Sequence, residues 1–124
     1  MNQLQTYIHQ SRYARWIESE NRRETWNETV SRYISFFEER TPEAKKVLPE
    51  LKQAILDMKI MPSMRAFMTA GKALEKDEVA GYNCSFIAVD DVRAFDEAMY
   101  ISMCGTGVGF SVERQFVSQH PYRT

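Results

Sequence analysis

From Trp26 onward, apolar side chains return at helical spacing (Trp26, Val30, Tyr33, Ile34 and Phe37), with polar residues filling the positions between them. Such a stripe predicts an amphipathic helix with one buried face. Thr25, three residues before Glu28, has the spacing of a capping box and marks where that helix begins. Thr41-Pro42-Glu43 starts a further helical stretch; Pro49 breaks and restarts it, and Leu51, Ile55 and Met58 supply its apolar stripe. In "KIMPSMRAFMTAGKALEKDEVAGYN", Pro62 can begin a short helix and Gly71 can end it, and the charged stretch up to Gly81 predicts an exposed loop.

The period then changes. Tyr82 to Val89, "YNCSFIAV", has the length and β-propensity of a strand. Asp91 can cap a helix carrying Val92, Phe95, Met99 and Met103 on one face, and that helix should stop near Gly105. Val108, Phe110 and Val112 then alternate with Gly109, Ser111 and Glu113, which predicts a second strand over Val108 to Glu113. Strand, crossover helix and strand make a βαβ unit, so the two strands are expected to be parallel and the crossover right-handed. A parallel pair leaves both edges and both faces to be covered, which makes the chain a piece of something larger. The predicted organisation is a helical region over residues 1–80 followed by the strand-helix-strand unit over 81–124.

Composition narrows the function. With 124 residues, 44% of them hydrophobic, there is room for one modest core. Sixteen basic and seventeen acidic residues are interleaved, for a formal net charge of -1, so no stripe of one sign offers a surface to DNA, RNA or a membrane. No apolar run approaches the roughly 20 residues that cross a bilayer, and the N-terminus lacks a signal-peptide stretch, so the expected location is the cytoplasm. Two cysteines without a CxxC spacing read as free thiols in a reducing compartment.

Three segments could carry chemistry. On a strand, Cys84, Phe86 and Ala88 share one face while Ser85, Ile87 and Val89 share the other, which sets the thiol among apolar neighbours. Cys84 is then either a small core residue or a redox thiol. The redox reading needs a second thiol, and Cys104, at the far end of the crossover helix, is poorly placed to supply it, so Cys104 reads as packing. "CGTGVG" places three glycines in five residues, Gly105, Gly107 and Gly109, but after a helix and before a strand, the reverse of the dinucleotide-binding order. It reads either as a helix C-cap leading into a strand or as backbone that lies close to a ligand. In "MPSMRAFMTAG", Ser63 and Arg65 could meet a phosphate. The methionines around them (Met58, Met61, Met64 and Met68) read as adaptable core. His9 and His120 have no Cys, Asp or Glu at metal spacing, and no metal site is expected.

Taken in order, "YARWIESENRRETWNETVSRYI", "MPSMRAFMTAGKAL", "YNCSFIAV", "FDEAMYISMCGTGVGFSVER" and "SQHPYR" resemble the N-terminal part of adenosylcobalamin-dependent (class II) ribonucleotide reductase, closest to its monomeric ribonucleoside-triphosphate-reducing branch. The likeness covers most of this chain and a minor fraction of the family's length. It implies an α/β fold in which an N-terminal helical subassembly leads into the βαβ unit that begins a ten-stranded α/β barrel. Inside such a barrel a thiyl radical takes the 3′-hydrogen of the ribonucleotide, and two further cysteines reduce the sugar as the 2′-hydroxyl leaves as water.

The resemblance makes Cys84 one cysteine of the reducing pair and sets Gly105, Thr106, Gly107, Val108 and Gly109 against the nucleotide. It sets Ser63 with Arg65 near its phosphates, and Asn83 and Ser85 where they flank the thiol. It implies adenosylcobalamin, held mainly by the rest of the polypeptide, a ribonucleoside di- or triphosphate substrate, and a dithiol or thioredoxin as reductant. By the same resemblance the chain is a truncated or split-gene piece, inert by itself. Two other readings remain: a non-catalytic nucleotide-binding module derived from that enzyme, and an interaction protein whose open sheet edge pairs with a partner.

Overall fold

Asn2 starts the first helix, α1 (Gln3–Arg12), through a capping box: its side chain accepts the Gln5 N–H at 2.9 Å while its own N–H donates to the Gln5 side chain at 2.8 Å. The structure, a computed structural model, describes residues 1–120. They fall into two units, one ending at Glu75 and the other beginning at Lys76. The residues Pro121 to Thr124, which include part of the "SQHPYR" segment, lie outside the description.

In the first unit, α1 leads to a two-residue antiparallel pair, β1 (Trp16–Ile17) and β2 (Arg22–Arg23), with Trp16 opposite Arg23. The sequence pattern gave no sign of this pair, since two residues are too few to show alternation. Asn21 turns the chain between them at φ 50°, a left-handed conformation that asparagine tolerates better than most residues. Next comes α2 (Trp26–Arg40), capped as its sequence predicts, with the Thr25 N–H donating to Glu28 at 2.7 Å and the Glu28 N–H reaching the Thr25 hydroxyl at 3.4 Å. A 3-10 turn, Pro42–Lys46, precedes α3 (Leu48–Leu56), where Pro49 sits in the first turn and starts the helix, its missing N–H being one that no helix would use.

Two short helices follow, α4 (Met64–Thr69) and α5 (Lys72–Lys76), with Gly71 between them at φ +98°. α5 corrects the loop expected over the charged stretch: Leu74 is buried there, and one buried apolar side chain holds a turn of helix that its polar neighbours obscure. The core consists of Val30, Ile34, Leu48, Ile55 and Phe67. Phe67 is fully buried between Trp26 and Tyr33, stacked on each with ring centroids 5.5 and 5.0 Å away, and the Tyr13 ring meets it edge-on at 6.0 Å.

In the second unit, Asp77 caps a 3-10 turn, Glu78–Gly81, by accepting the Val79 N–H at 2.8 Å. Then come β3 (Cys84–Ala88), α6 (Arg93–Met103), β4 (Gly107–Ser111) and a short α7 (Arg114–Val117). β3 and β4 pair in parallel, as the βαβ pattern predicts, although β4 lies one residue earlier at its start and two earlier at its end than the alternation suggested. Asp91 acts at the start of α6 by accepting the Arg93 N–H at 2.9 Å.

α6 packs against both strands. Its buried side holds Ala94, with Ala98 and Ile101 half-buried, small residues that let a helix lie close to a sheet. The larger stripe of Val92, Phe95, Met99 and Met103 faces solvent instead. No helix among the described residues is long and apolar enough to cross a membrane.

Candidate functional site

Burial alternates along β3 and reveals its two faces. Ser85 and Ile87 are half-buried on the side that α6 covers, while Cys84 and Phe86 are exposed, Phe86 to 67%. The apolar surroundings expected for the thiol are thus confined to its own sheet face, where Cys84 and Phe86 stay exposed among the described residues. In the parallel ladder Cys84 stands opposite Gly107, and Phe86 opposite Gly109. The thiol's neighbours across the strand therefore have no side chains, and the surface beside the sulfur is left flat.

Close packing within the chain does not require glycine at the two strand positions. A Cβ on Gly107 would meet only the Asn83 carbonyl at 3.4 Å, and one on Gly109 only the Ser85 carbonyl at 3.6 Å, both ordinary contacts. Glycine inside a strand weakens it and often marks a bend, a bulge or a place where a ligand or another backbone comes close. Gly105 acts differently. At φ 87° it ends α6 in a left-handed turn, its N–H donating to the Ser102 carbonyl at 2.9 Å and the Thr106 N–H to the Ile101 carbonyl at 3.3 Å. The glycine run thus caps α6 at Gly105 and continues into β4 with two residues that carry no side chain.

Of the residues singled out from sequence, the second unit brings together Cys84, Asn83, Ser85 and the run Gly105 to Gly109. Asn83 is exposed and its carbonyl accepts the Gly107 N–H at 2.9 Å. The Ser85 hydroxyl reaches toward the Gly107 carbonyl at 3.4 Å, a long contact, and Val108 is half-buried on the α6 side. Thr106 is 2% exposed, with its hydroxyl between the carbonyls of Val79 and Tyr82 at 2.7 and 3.0 Å, so toward the open face it can offer only backbone.

Ser63 and Arg65 belong to the first unit. Ser63 is exposed at the start of α4 and its side chain makes no capping bond to the helix; Arg65 is half-buried. The other end of α4 is held firmly. Arg32 donates to the Phe67 and Ala70 carbonyls at 3.0 Å each, and Arg15 donates to the Met68 carbonyl at 3.1 Å.

Sequence reading missed two polar clusters. In the first unit, Arg32 grips Glu24 with both arms at 2.8 and 2.9 Å, and Glu24 also accepts from the Thr29 hydroxyl at 3.0 Å. Because that hydroxyl donates to the carboxylate, it accepts from Nε2 of the buried His9, 2.8 Å away, which fixes the proton of the neutral ring on Nε2. Burial pushes the His9 pKa below its ordinary value. Burial pushes Glu24 the other way, but the bonds from Arg32, the Arg15 backbone and Thr29 outweigh it and the carboxyl ends up below its usual range.

In the second unit, Tyr100 donates to Asp77, which holds the Asp77 carboxyl low and raises the phenol to about 12. That contact ties α6 to the turn before β3. Neither cluster has a sequence signal, because each joins residues from separate elements. Among the described residues no three His, Cys, Asp or Glu side chains converge as metal ligands would.

No family model and no curated protein matches the sequence. Among solved structures, a B-12 dependent (class II) ribonucleotide reductase superposes with a TM-score of 0.72 and 27% sequence identity over 93% of this chain. The chain spans 21% of that structure's length. In fold and in sequence it is thus similar, over nearly all of its length, to about a fifth of a B12-dependent class II ribonucleotide reductase.

Proposed function

We propose that the chain is the N-terminal portion of an adenosylcobalamin-dependent ribonucleotide reductase and contributes Cys84 as one of the two thiols that reduce the sugar. The observation that carries this reading is the pairing of Cys84 with Gly107 on the sheet face that α6 leaves bare. In a closed α/β barrel the helices lie outside, so that face becomes the interior, and a thiol between bare backbone strands there has room for a nucleotide beside it. The remaining polypeptide supplies the other strands of the ten-stranded barrel and the partner thiol.

In the reducing step the two thiols give up two protons and two electrons, the sugar loses its 2′-hydroxyl as water and gains a hydrogen in its place, and the sulfurs join as a disulfide. An external dithiol or thioredoxin then reduces that bond by exchange. Gly107 and Gly109 let base and ribose lie on the strand; Asn83 and Ser85 orient the sugar beside the thiol; Ser63 and Arg65 hold the phosphates of a ribonucleoside di- or triphosphate.

Bound adenosylcobalamin supplies the radical that starts the reaction in this class. The corrin already coordinates the cobalt, so the reading asks no cluster of metal ligands of this chain. We assign the cofactor to the remaining polypeptide.

The test combines this chain with a polypeptide supplying the rest of the reductase, adenosylcobalamin, a ribonucleotide and a dithiol, and measures deoxynucleotide. Product is expected from the mixture and not from this chain alone. Product from a Cys84→Ser mixture would remove the redox role of that sulfur. A second reading, a non-catalytic module derived from the same enzyme, draws on the exposed stripe of Val92, Phe95, Met99 and Met103, which suits a protein partner. Nucleotide binding by this chain alone, measured by calorimetry, would favour it.

A further inference from the structure

Three ties meet at Thr106. Its N–H closes the end of α6 on the Ile101 carbonyl at 3.3 Å. Its hydroxyl, with a single proton to share, lies 2.7 Å from the Val79 carbonyl and 3.0 Å from that of Tyr82, in the turn that leads into β3. The next residue, Gly107, donates its N–H to the Asn83 carbonyl at 2.9 Å and so begins the ladder. The side chain is 2% exposed and its donor is spent inside the fold.

We infer that Thr106 is a positioning residue for Cys84: its hydroxyl fastens the turn before β3 to the glycine run and thereby holds the thiol opposite Gly107. The alternative, that the side chain binds the substrate, conflicts with its burial and with the direction in which its hydroxyl points. Backbone bonding by itself leaves the turn less fixed. The Val79 carbonyl also accepts the Tyr82 N–H at 3.0 Å, whereas the Tyr82 carbonyl faces the Thr106 hydroxyl. Valine at 106 would keep the shape and remove that donor, leaving the part-buried Tyr82 carbonyl without this partner. The consequence for catalysis rests on the reductase reading above; the fastening itself does not.

The experiment therefore has two arms, run on Thr106→Val and Thr106→Ser. In the full 124-residue chain, amide hydrogen exchange at Gly107 is expected to be slow in the parent, roughly tenfold faster in the valine variant and near the parent rate in the serine variant. An unprotected Gly107 amide in the parent, or equal protection in the valine variant, overturns the fastening. In the complemented enzyme, Thr106→Val should lower kcat by about 10- to 100-fold with little change in the KM for nucleotide, and Thr106→Ser should restore it, because a displaced thiol slows the chemical step without weakening binding. A raised KM with unchanged kcat would make Thr106 a binding residue and overturn the inference, as would unaltered kinetics. Absence of product from the parent mixture would instead sink the reductase reading, and the fastening would then be judged by the exchange arm.

Discussion

Cys84 and Gly107 face each other across the β3–β4 ladder, and on the thiol's side of the sheet the glycine contributes nothing but backbone. A methyl group at 107 would meet only the Asn83 carbonyl, at 3.4 Å. Gly107→Ala is therefore expected to leave the stability of the chain within about 0.5 kcal/mol of the parent, since a strand glycine carries an entropic cost that alanine relieves. In the complemented enzyme the same methyl group intrudes on the space beside the sulfur, and kcat/KM should fall at least about tenfold. Thermal melts together with kinetics check both halves; unchanged kinetics would show that nothing approaches the strand there.

The two thiols should differ in reactivity. Cys84 is exposed on its bare face, whereas Cys104 is half-buried. A maleimide reagent is expected to label Cys84 first, as read by mass spectrometry of the digested chain, and labelling should slow once the complementing polypeptide covers that face. Labelling that is unaffected by the partner would contradict a barrel interior.

Phe67 anchors the first unit. Phe67→Ala removes a fully buried ring from between Trp26 and Tyr33 and should destabilise that unit by about 3 to 5 kcal/mol, measured by calorimetry. Phe67→Leu should cost less, because it keeps most of the buried surface.

Acid should weaken the first unit in two stages. His9 has a folded pKa below its ordinary 6.5, so below pH 6.5 the unfolded chain takes up a proton that the folded chain refuses. Stability from this source is complete above pH 6.5 and is lost as pH falls toward the folded value. Glu24 follows the same sign from 4.5 downward. His9→Gln should abolish the first stage and leave the second, as followed by urea denaturation across pH.

What the sequence disclosed was local. The Thr25–Glu28 box lies within four residues and the strand-helix-strand order within thirty, so spacing alone reports them. What it withheld depends on distant partners: the turn of helix pinned by Leu74, the ring of His9 set against Thr29, and the hydroxyl of Thr106 drawn inward to Val79. α6 shows the limit most clearly. Its pattern contains two apolar stripes, and a two-stranded sheet needs only the one made of small residues, so composition favoured Phe95 and Met99 while packing chose Ala94. Of the candidate site, the thiol and the glycines were legible because residue type and spacing mark them, whereas the division of labour among the glycines needed their backbone angles and neighbours.

The stack of Trp26 on Phe67 also decides what light can report. The chain's two tryptophans, Trp16 and Trp26, both precede Glu75. Excitation near the red edge of protein absorption therefore illuminates the helical half alone, with Trp26 signalling its interior and Trp16, 49% exposed, its surface. The half that carries Cys84 is dark at that wavelength, and a tryptophan placed at Phe86 would give it an emitter of its own.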